Sequence, residues 1–147
     1  MPQVGDELVN PKAGTRTVFR STAASTDGDE VTVEATYPPH SPLPPMHHHP
    51  HQQEHFQIVT GAMRVVLGGE TFTAQAGEEF TVERDVSHQM WNDRDEPASV
   101  VWTTTPALRT DQMFCALWQS AHDNDWAPSA EQLWAVIEGY DAEFRLG

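Results

Sequence analysis

The stretch from His47 to Gly61 reads HHHPHQQEHFQIVTG. It contains the residues that best predict both the fold and the candidate site of this chain. Five histidines lie between His47 and His55. Pro50 and the glutamine pair after it indicate that one extended segment ends and another begins there, because proline interrupts sheet pairing. Residues two apart on an extended segment face the same way, so the stretch predicts two strands with ligand-type side chains on one face.

The second of these strands carries a carboxylate on its apolar face. Glu54, Phe56 and Ile58 share one face, and this is the face that belongs inside. A lone carboxylate in an apolar interior is costly unless it is paired or bound to a metal ion. Glu54 therefore needs a partner in the folded protein.

The first strand offers two imidazoles as that partner. His47 and His49 point the same way, which leaves His48 pointing outward. Together with Glu54 they resemble the mixed histidine and carboxylate sets that bind Fe(II), Mn(II) and similar ions. One more ligand is wanted, and His88 is the only histidine in the later predicted strands.

Three other interpretations of the histidine cluster stay open from the residues alone. A shifted register would use His49, His51 and His55, although it leaves Glu54 unexplained. Gln53 would replace Glu54 as the oxygen ligand if the turn is longer. The cluster could also be a solvated polar loop that binds nickel adventitiously.

The sequence around this stretch favours an all-β barrel or sandwich, because short β-branched and aromatic runs alternate with turn signals. The predicted strands are 15–23, 31–37, 54–60, 63–67, 71–74, 80–82, 88–91 and 98–104. Six prolines in the segment from Tyr37 to Pro50 make it a loop or an edge strand. Phe56, Met63, Met90 and Trp102 either line an apolar pocket or fill the barrel.

After Pro106 the apolar period becomes that of a helix. The two predicted stripes are Met113, Phe114, Leu117, Trp118 and Ala121, and then Leu133, Val136, Ile137, Tyr140 and Phe144. Ser129 and Gln132 predict a capping box at the second helix. We interpret both stripes as core, without a cofactor role.

Residues 1–106 are expected to form a barrel domain with an N-terminal arm, and 107–147 a helical extension packed on the barrel or on a partner subunit.

Two motifs in register resemble those of the cupin superfamily. The first cupin motif is matched by His47, His49, Glu54 and Gly61, and the second by Gly77, His88 and Asn92. The match runs from Tyr37 to Thr105 and departs from the family at three positions. Ser41 stands where the first motif usually opens with glycine, and Glu83 and Asp85 replace the proline and glycine of the second.

The resemblance implies a mainly β fold, namely the double-stranded β-helix of a small single-domain cupin jelly-roll barrel with a C-terminal helical extension. It also implies that one divalent transition metal (Fe, Mn, Ni, Cu or Zn) binds to His47, His49, Glu54 and His88. The expected function is a metal-dependent dioxygenase-type reaction on a small organic molecule, with Glu54 as ligand and base. The alternatives are a non-catalytic metal-dependent binding or sensor protein and a metal-dependent isomerase. The resemblance also implies a homodimer, because small cupins commonly dimerise.

The charge composition of the chain excludes some classes of binding partner. The 147-residue chain has a formal net charge of −14, and Lys12 is its only lysine. A nucleic-acid partner is therefore not expected, because such binding needs a basic surface, and neither is an anionic membrane. The N-terminal residues lack the basic start and apolar run of a signal peptide, which predicts a cytoplasmic protein. Cys115 is interpreted as a buried small apolar residue, and His40 and His122 as surface residues.

Overall fold

The computed structural model describes residues 1–147 and contains eleven strands and two α-helices. The strands are β1 (Glu7–Asn10), β2 (Thr15–Ser21), β3 (Val31–Tyr37), β4 (His47–His48), β5 (Gln53–Thr60), β6 (Ala62–Leu67), β7 (Glu70–Gln75), β8 (Glu79–Val82), β9 (His88–Trp91), β10 (Ala98–Thr105) and β11 (Arg145–Leu146). The helices are α1 (Thr110–Asp123) and α2 (Ala130–Ile137), and short 3-10 helices lie at Ala24–Thr26 and Glu138–Tyr140.

The strands form two antiparallel sheets. One has six strands in the order β1-β2-β3-β10-β5-β8, and the other has five in the order β11-β4-β9-β6-β7. Apolar side chains from both sheets form one core, in which Ile58, Met63, Val65 and Val100 are at most 1% exposed. The predicted mainly β jelly-roll fold with a C-terminal helical extension is confirmed.

The alternation of apolar and polar residues explains why these segments are strands. Along β5, Glu54, Phe56 and Ile58 are buried while Gln53 and Gln57 are exposed. In β3, Val31, Val33 and Ala35 are buried in the same way. The pleat therefore sends the side chains to the faces that the sequence predicts.

The strand predictions were wrong at both ends of the chain. The strand predicted to reach residue 23 ends at Ser21, where the chain turns into a 3-10 helix. Strand β1, which is too short and polar to show a clear alternation, pairs with β2. Strand β11 has two residues and pairs with β4, so the last residues of the chain join the sheet that carries the histidines.

The helices differ in how they pack. Helix α1 buries Met113 and Ala121, and the half-buried Cys115 contacts the small apolar cluster around Phe19. Helix α2 begins with the predicted Ser129–Gln132 capping box but buries no residue. It ends at Ile137, so the prediction that its stripe continues to Phe144 was wrong. No helix of the chain is both long enough and apolar enough to cross a membrane.

Candidate metal centre

Three of the four predicted ligands lie on strands from the two sheets, and the fourth follows one of these strands. His47 lies on β4 and is directly opposite His88 on β9. His49 follows β4 immediately, and Glu54 lies on β5 in the other sheet. The site therefore joins the two sheets inside the barrel, and it needs the long-range pairing of β4 with β9 to form.

The side chains converge closely. His47, His49 and His88 each present a ring nitrogen, and these three atoms lie within 4.8 Å of one another. Oε1 of Glu54 lies 2.9 Å from Nε2 of His49 and 2.9 Å from Nε2 of His88. Glu54, His88 and His49 are only 1%, 3% and 5% exposed.

Backbone carbonyls fix the tautomer of all three imidazoles. Nδ1 of His47 lies 2.8 Å from the carbonyl oxygen of Pro45, that of His49 lies 2.7 Å from the carbonyl of Glu143, and that of His88 lies 2.9 Å from the carbonyl of Val86. A carbonyl only accepts, so each Nδ1 carries the proton and donates. Each ring therefore turns Nε2, the ring atom free to act as a ligand, away from the carbonyl that holds it.

Two observations show that a metal ion fits these residues. Nε2 of His49 is buried and has no hydrogen-bond partner, although Oε1 of Glu54 lies 2.9 Å from it. A buried polar atom without a partner is costly, and a metal ion would satisfy it. The 2.9 Å spacing between Oε1 and each Nε2 also matches the distance of about 3 Å between neighbouring ligands that lie about 2.1 Å from a shared ion.

Burial and the neighbouring charges shift the pKa values of three of the four candidate ligands. Burial, reinforced by the nearby His88, lowers the pKa of His47 to about 4, so this imidazole is neutral at pH 7. Burial opposes the charge of Glu54, but His49 and His88 outweigh it and hold the pKa of this carboxyl well below its usual range. Burial also opposes a charge on His49, yet the Glu54 carboxylate outweighs it and raises the His49 pKa.

Trp102 orients the carboxylate. Its indole N–H donates to Oε2 of Glu54 at 2.6 Å, which leaves Oε1 to face the histidines. Trp102 is itself fixed by aromatic contacts, with its ring centroid 5.3 Å from that of Phe56 and 5.0 Å from that of Phe114. The two oxygens of Glu54 thus have separate partners.

Replacing Trp102 with phenylalanine is expected to weaken metal binding about 10- to 100-fold, the usual effect of losing a hydrogen bond to a metal ligand. The substitution keeps an aromatic ring but leaves Oε2 of Glu54 without its donor. Competition with a chromogenic chelator measures the affinity. Trp91→Phe, which changes an indole outside the cavity, is the matched control, and equal affinities for the two variants would contradict this role.

A cavity of about 310 Å³ opens onto the four ligands. Its apolar wall comes from both sheets, from α1 and from the C-terminal segment: Tyr37, Phe56, Met90, Trp102, Met113, Phe114, Leu117 and Phe144. Burial, together with the charge of Glu54, raises the pKa of Tyr37, so its phenol stays protonated. No lysine or arginine lines the cavity.

The other predicted candidates lie elsewhere. His51 and Gln53 are exposed, and His55 faces away from the cavity, where its Nδ1 lies 3.1 Å from Oγ1 of Thr81. The structure therefore does not bring together the shifted set of His49, His51 and His55. Met63 is fully buried and fills the barrel, whereas Phe56, Met90 and Trp102 line the cavity. His40 and His122 are exposed, as predicted.

Several site residues were not identified from the sequence. The helical stripe of α1 was interpreted as core, yet Met113, Phe114 and Leu117 face the ligands across the cavity. Phe144 stacks on His47 with ring centroids 4.5 Å apart and planes 14° apart. Its apolar character was visible, but nothing in the local pattern indicates that the chain returns to the barrel after α2.

The structure accommodates the departures from the two motifs at Ser41 and Asp85. Asp85, which replaces a glycine, adopts a φ of 66°, a left-handed conformation that aspartate tolerates better than most residues. The Asn92 side chain donates to the carbonyls of Pro38 and Glu96. Ser41, which also replaces a glycine, accepts a hydrogen bond from the backbone N–H of Asn92. The turn before His88 therefore forms without the usual residues.

Known proteins share this fold and part of this sequence. A family model described as the cupin domain matches residues 33–104. The polyketide synthase CurC of Streptomyces cyaneus is 35% identical over 60 residues, which are 41% of this chain and 39% of that protein. The aligned segment is therefore well under half of that relative.

Solved structures agree on the fold. An RmlC-like cupin from Shewanella frigidimarina has a TM-score of 0.61 and 16% identity, with 73% of this chain and 88% of that chain covered. A predicted oxalate decarboxylase from Thermotoga maritima has a TM-score of 0.60 and 14% identity, with 69% and 90% covered. The matching family model, the two-sheet barrel and these structural relatives lead to one conclusion: residues 33–104 of this chain form a cupin domain.

Proposed function

We propose that this protein is a metal-dependent enzyme of the dioxygenase type, acting on a compact, uncharged aromatic molecule. One observation carries the proposal: three imidazoles and one carboxylate converge at the end of an apolar, aromatic cavity. Such a ligand set leaves coordination positions of a six-coordinate ion open. The ion is Fe, Mn, Ni, Cu or Zn, held by His47, His49, Glu54 and His88.

The bound metal supplies Lewis acidity and open coordination positions. The residues of the chain hold and orient the ligands. The carbonyl-bound Nδ1 protons keep the three imidazoles oriented, and Trp102 keeps Oε1 of Glu54 directed at them. Because the pKa of Glu54 is lowered, it is a weak base, and we propose that it serves mainly as a ligand.

The cavity wall supports an uncharged aromatic substrate. Its volume is at the lower end of the range for small-molecule sites, which favours a compact ligand. Aromatic and thioether side chains pack well on aromatic rings. Tyr37 offers a protonated phenol that can donate to a substrate oxygen. The partial similarity to a polyketide synthase also favours molecules with neighbouring phenol or ketone oxygens, which bind a metal as a chelate.

The same wall disfavours a substrate that carries an anionic group away from the metal, because no lysine or arginine lies within the wall to pair with that group. We therefore expect a catechol to bind at least about tenfold more tightly than the same catechol with a carboxylate on the far side of its ring, since an unpaired buried charge is costly. Calorimetric titration of the metal-loaded protein measures both. Leu117→Lys places a cation in the wall and is expected to restore binding of the carboxylated ligand. Equal affinities in the original protein would contradict this assignment.

Dioxygen uptake tests the proposed reaction. Protein loaded with iron, manganese or nickel is mixed with a panel of phenols, diketones and thiols in an oxygen-electrode cell. Uptake that requires both metal and substrate is the expected result. Turnover that persists without oxygen and with zinc would instead indicate an isomerase. A ligand that binds tightly and is never converted would indicate a binding or sensor protein.

The homodimer expected from the family resemblance stays a prediction, which sedimentation equilibrium can test.

A further inference from the structure

The last residues of the chain contact the candidate ligands directly. The carbonyl of Glu143 accepts the Nδ1 proton of His49 at 2.7 Å. The ring of Phe144 stacks on His47 and meets His49 edge-on, with centroids 5.7 Å apart. Two of the three histidines are therefore held by residues 143 and 144, far from them in sequence.

This segment is anchored on both sides of its contacts. The Glu143 side chain is 2% exposed and pairs with Arg109, whose Nη2 lies 2.9 Å from Oε1. Arg109 also donates from its backbone N–H to the same carboxylate, just before α1 begins. Beyond Phe144, strand β11 pairs with β4. The carbonyl of Gly147 accepts from Ser87, next to His88 in sequence.

We infer that residues 143–147, the C-terminal clasp, position the metal centre rather than only cover it. Without the clasp, His49 loses the acceptor that fixes its tautomer and His47 loses the ring that fixes its plane. An imidazole that is free to rotate binds a metal less well, because its orientation must be frozen on binding. The inference rests on the metal site of the proposed function, and not on the reaction.

Cobalt(II) is the probe, because its visible absorption spectrum reports ligand geometry as well as occupancy. Phe144→Ala is expected to lower cobalt affinity about tenfold and to change the position or intensity of the absorption bands. Phe144→Tyr, which keeps the ring, is expected to restore both. Arg109→Ala, which frees the Glu143 carboxylate, is expected to lower affinity in the same direction by a smaller factor.

Arg20→Ala is the matched control. Arg20 is an exposed arginine on β2 that pairs with Glu34, away from the clasp and the cavity, so its loss is expected to leave the cobalt affinity and spectrum unchanged. Thermal melts of the metal-free variants show whether any of them has unfolded. A folded Phe144→Ala variant with the affinity and spectrum of the original protein would overturn the inference. Failure of the original protein to bind cobalt would overturn the metal site as well, whereas the lack of a substrate would leave the inference standing.

Discussion

Glu54→Gln is expected to weaken metal binding at least about 100-fold, more than the loss of an outer hydrogen bond typically does. Glutamine keeps the shape of the side chain, but it removes the only anionic donor among the four. It also removes the attraction between the carboxylate and a divalent cation in a buried site, where charges interact strongly. Chelator competition with Zn²⁺ or Mn²⁺ measures the change.

Glu79→Gln is the control for Glu54. Glu79 lies on β8, next to β5, and its carboxylate is 64% exposed near His55, outside the cavity. Its loss is expected to change metal affinity less than about twofold, because exposed charges are screened by solvent. Circular dichroism of both variants confirms that they fold. If Glu54→Gln bound metal as tightly as Glu79→Gln, Glu54 would not be a ligand.

Gly61→Ala is expected to destabilise the fold by about 2–5 kcal/mol. This value is the sum of the cost of placing alanine in a left-handed conformation and the cost of steric overlap. Gly61 has a φ of +73°, and an added Cβ would lie 2.6 Å from the carbonyl oxygen of Pro97 and 2.9 Å from Cα of Ala98. Both neighbours are backbone atoms that cannot move aside cheaply. For a chain of this size we expect the melting temperature to fall by roughly 5–15 °C.

Gly69→Ala separates the two contributions. Gly69 has a φ of +87° in the turn between β6 and β7, but an added Cβ would meet no atom within 4 Å. Only the conformational cost of about 1–2 kcal/mol is then expected. Equal losses of stability for the two variants in thermal and urea unfolding would show that steric overlap does not contribute to the effect at Gly61.

The barrel and the inward direction of the side chains in the histidine stretch could be predicted from the sequence because both depend on local alternation. The pleat of β5 alone places Glu54 inside and Gln53 outside, and two-residue spacing does the same for His47 and His49. His88 was identified as the only histidine of the later predicted strands and through the family resemblance, but its place opposite His47 depends on the pairing of β4 with β9. That pairing joins residues that are distant in the chain, and no local pattern encodes it.

The rest of the site could not be predicted because it comes from tertiary packing. A stripe of apolar residues on α1 is the same whether the stripe fills a core or faces a cavity, and here it does both, with Met113 buried at the cavity wall. The contact of Phe144 with His47 depends on the path of the chain after α2, which ends earlier than its apolar spacing suggests. The hydrogen bond from Trp102 to Glu54 likewise depends on the pairing of β10 with β5.

The most direct test of the metal centre is elemental mass spectrometry of untagged protein purified without nickel, beside identical preparations of His88→Ala and His51→Ala. His88 is a buried member of the cluster, whereas His51 is exposed outside it. We expect close to one equivalent of a single transition metal in the original protein and in His51→Ala, and a sharp loss in His88→Ala. Three metal-free preparations that do not take up metal on reconstitution, or three with equal metal content, would contradict the assignment of His47, His49, Glu54 and His88 as ligands.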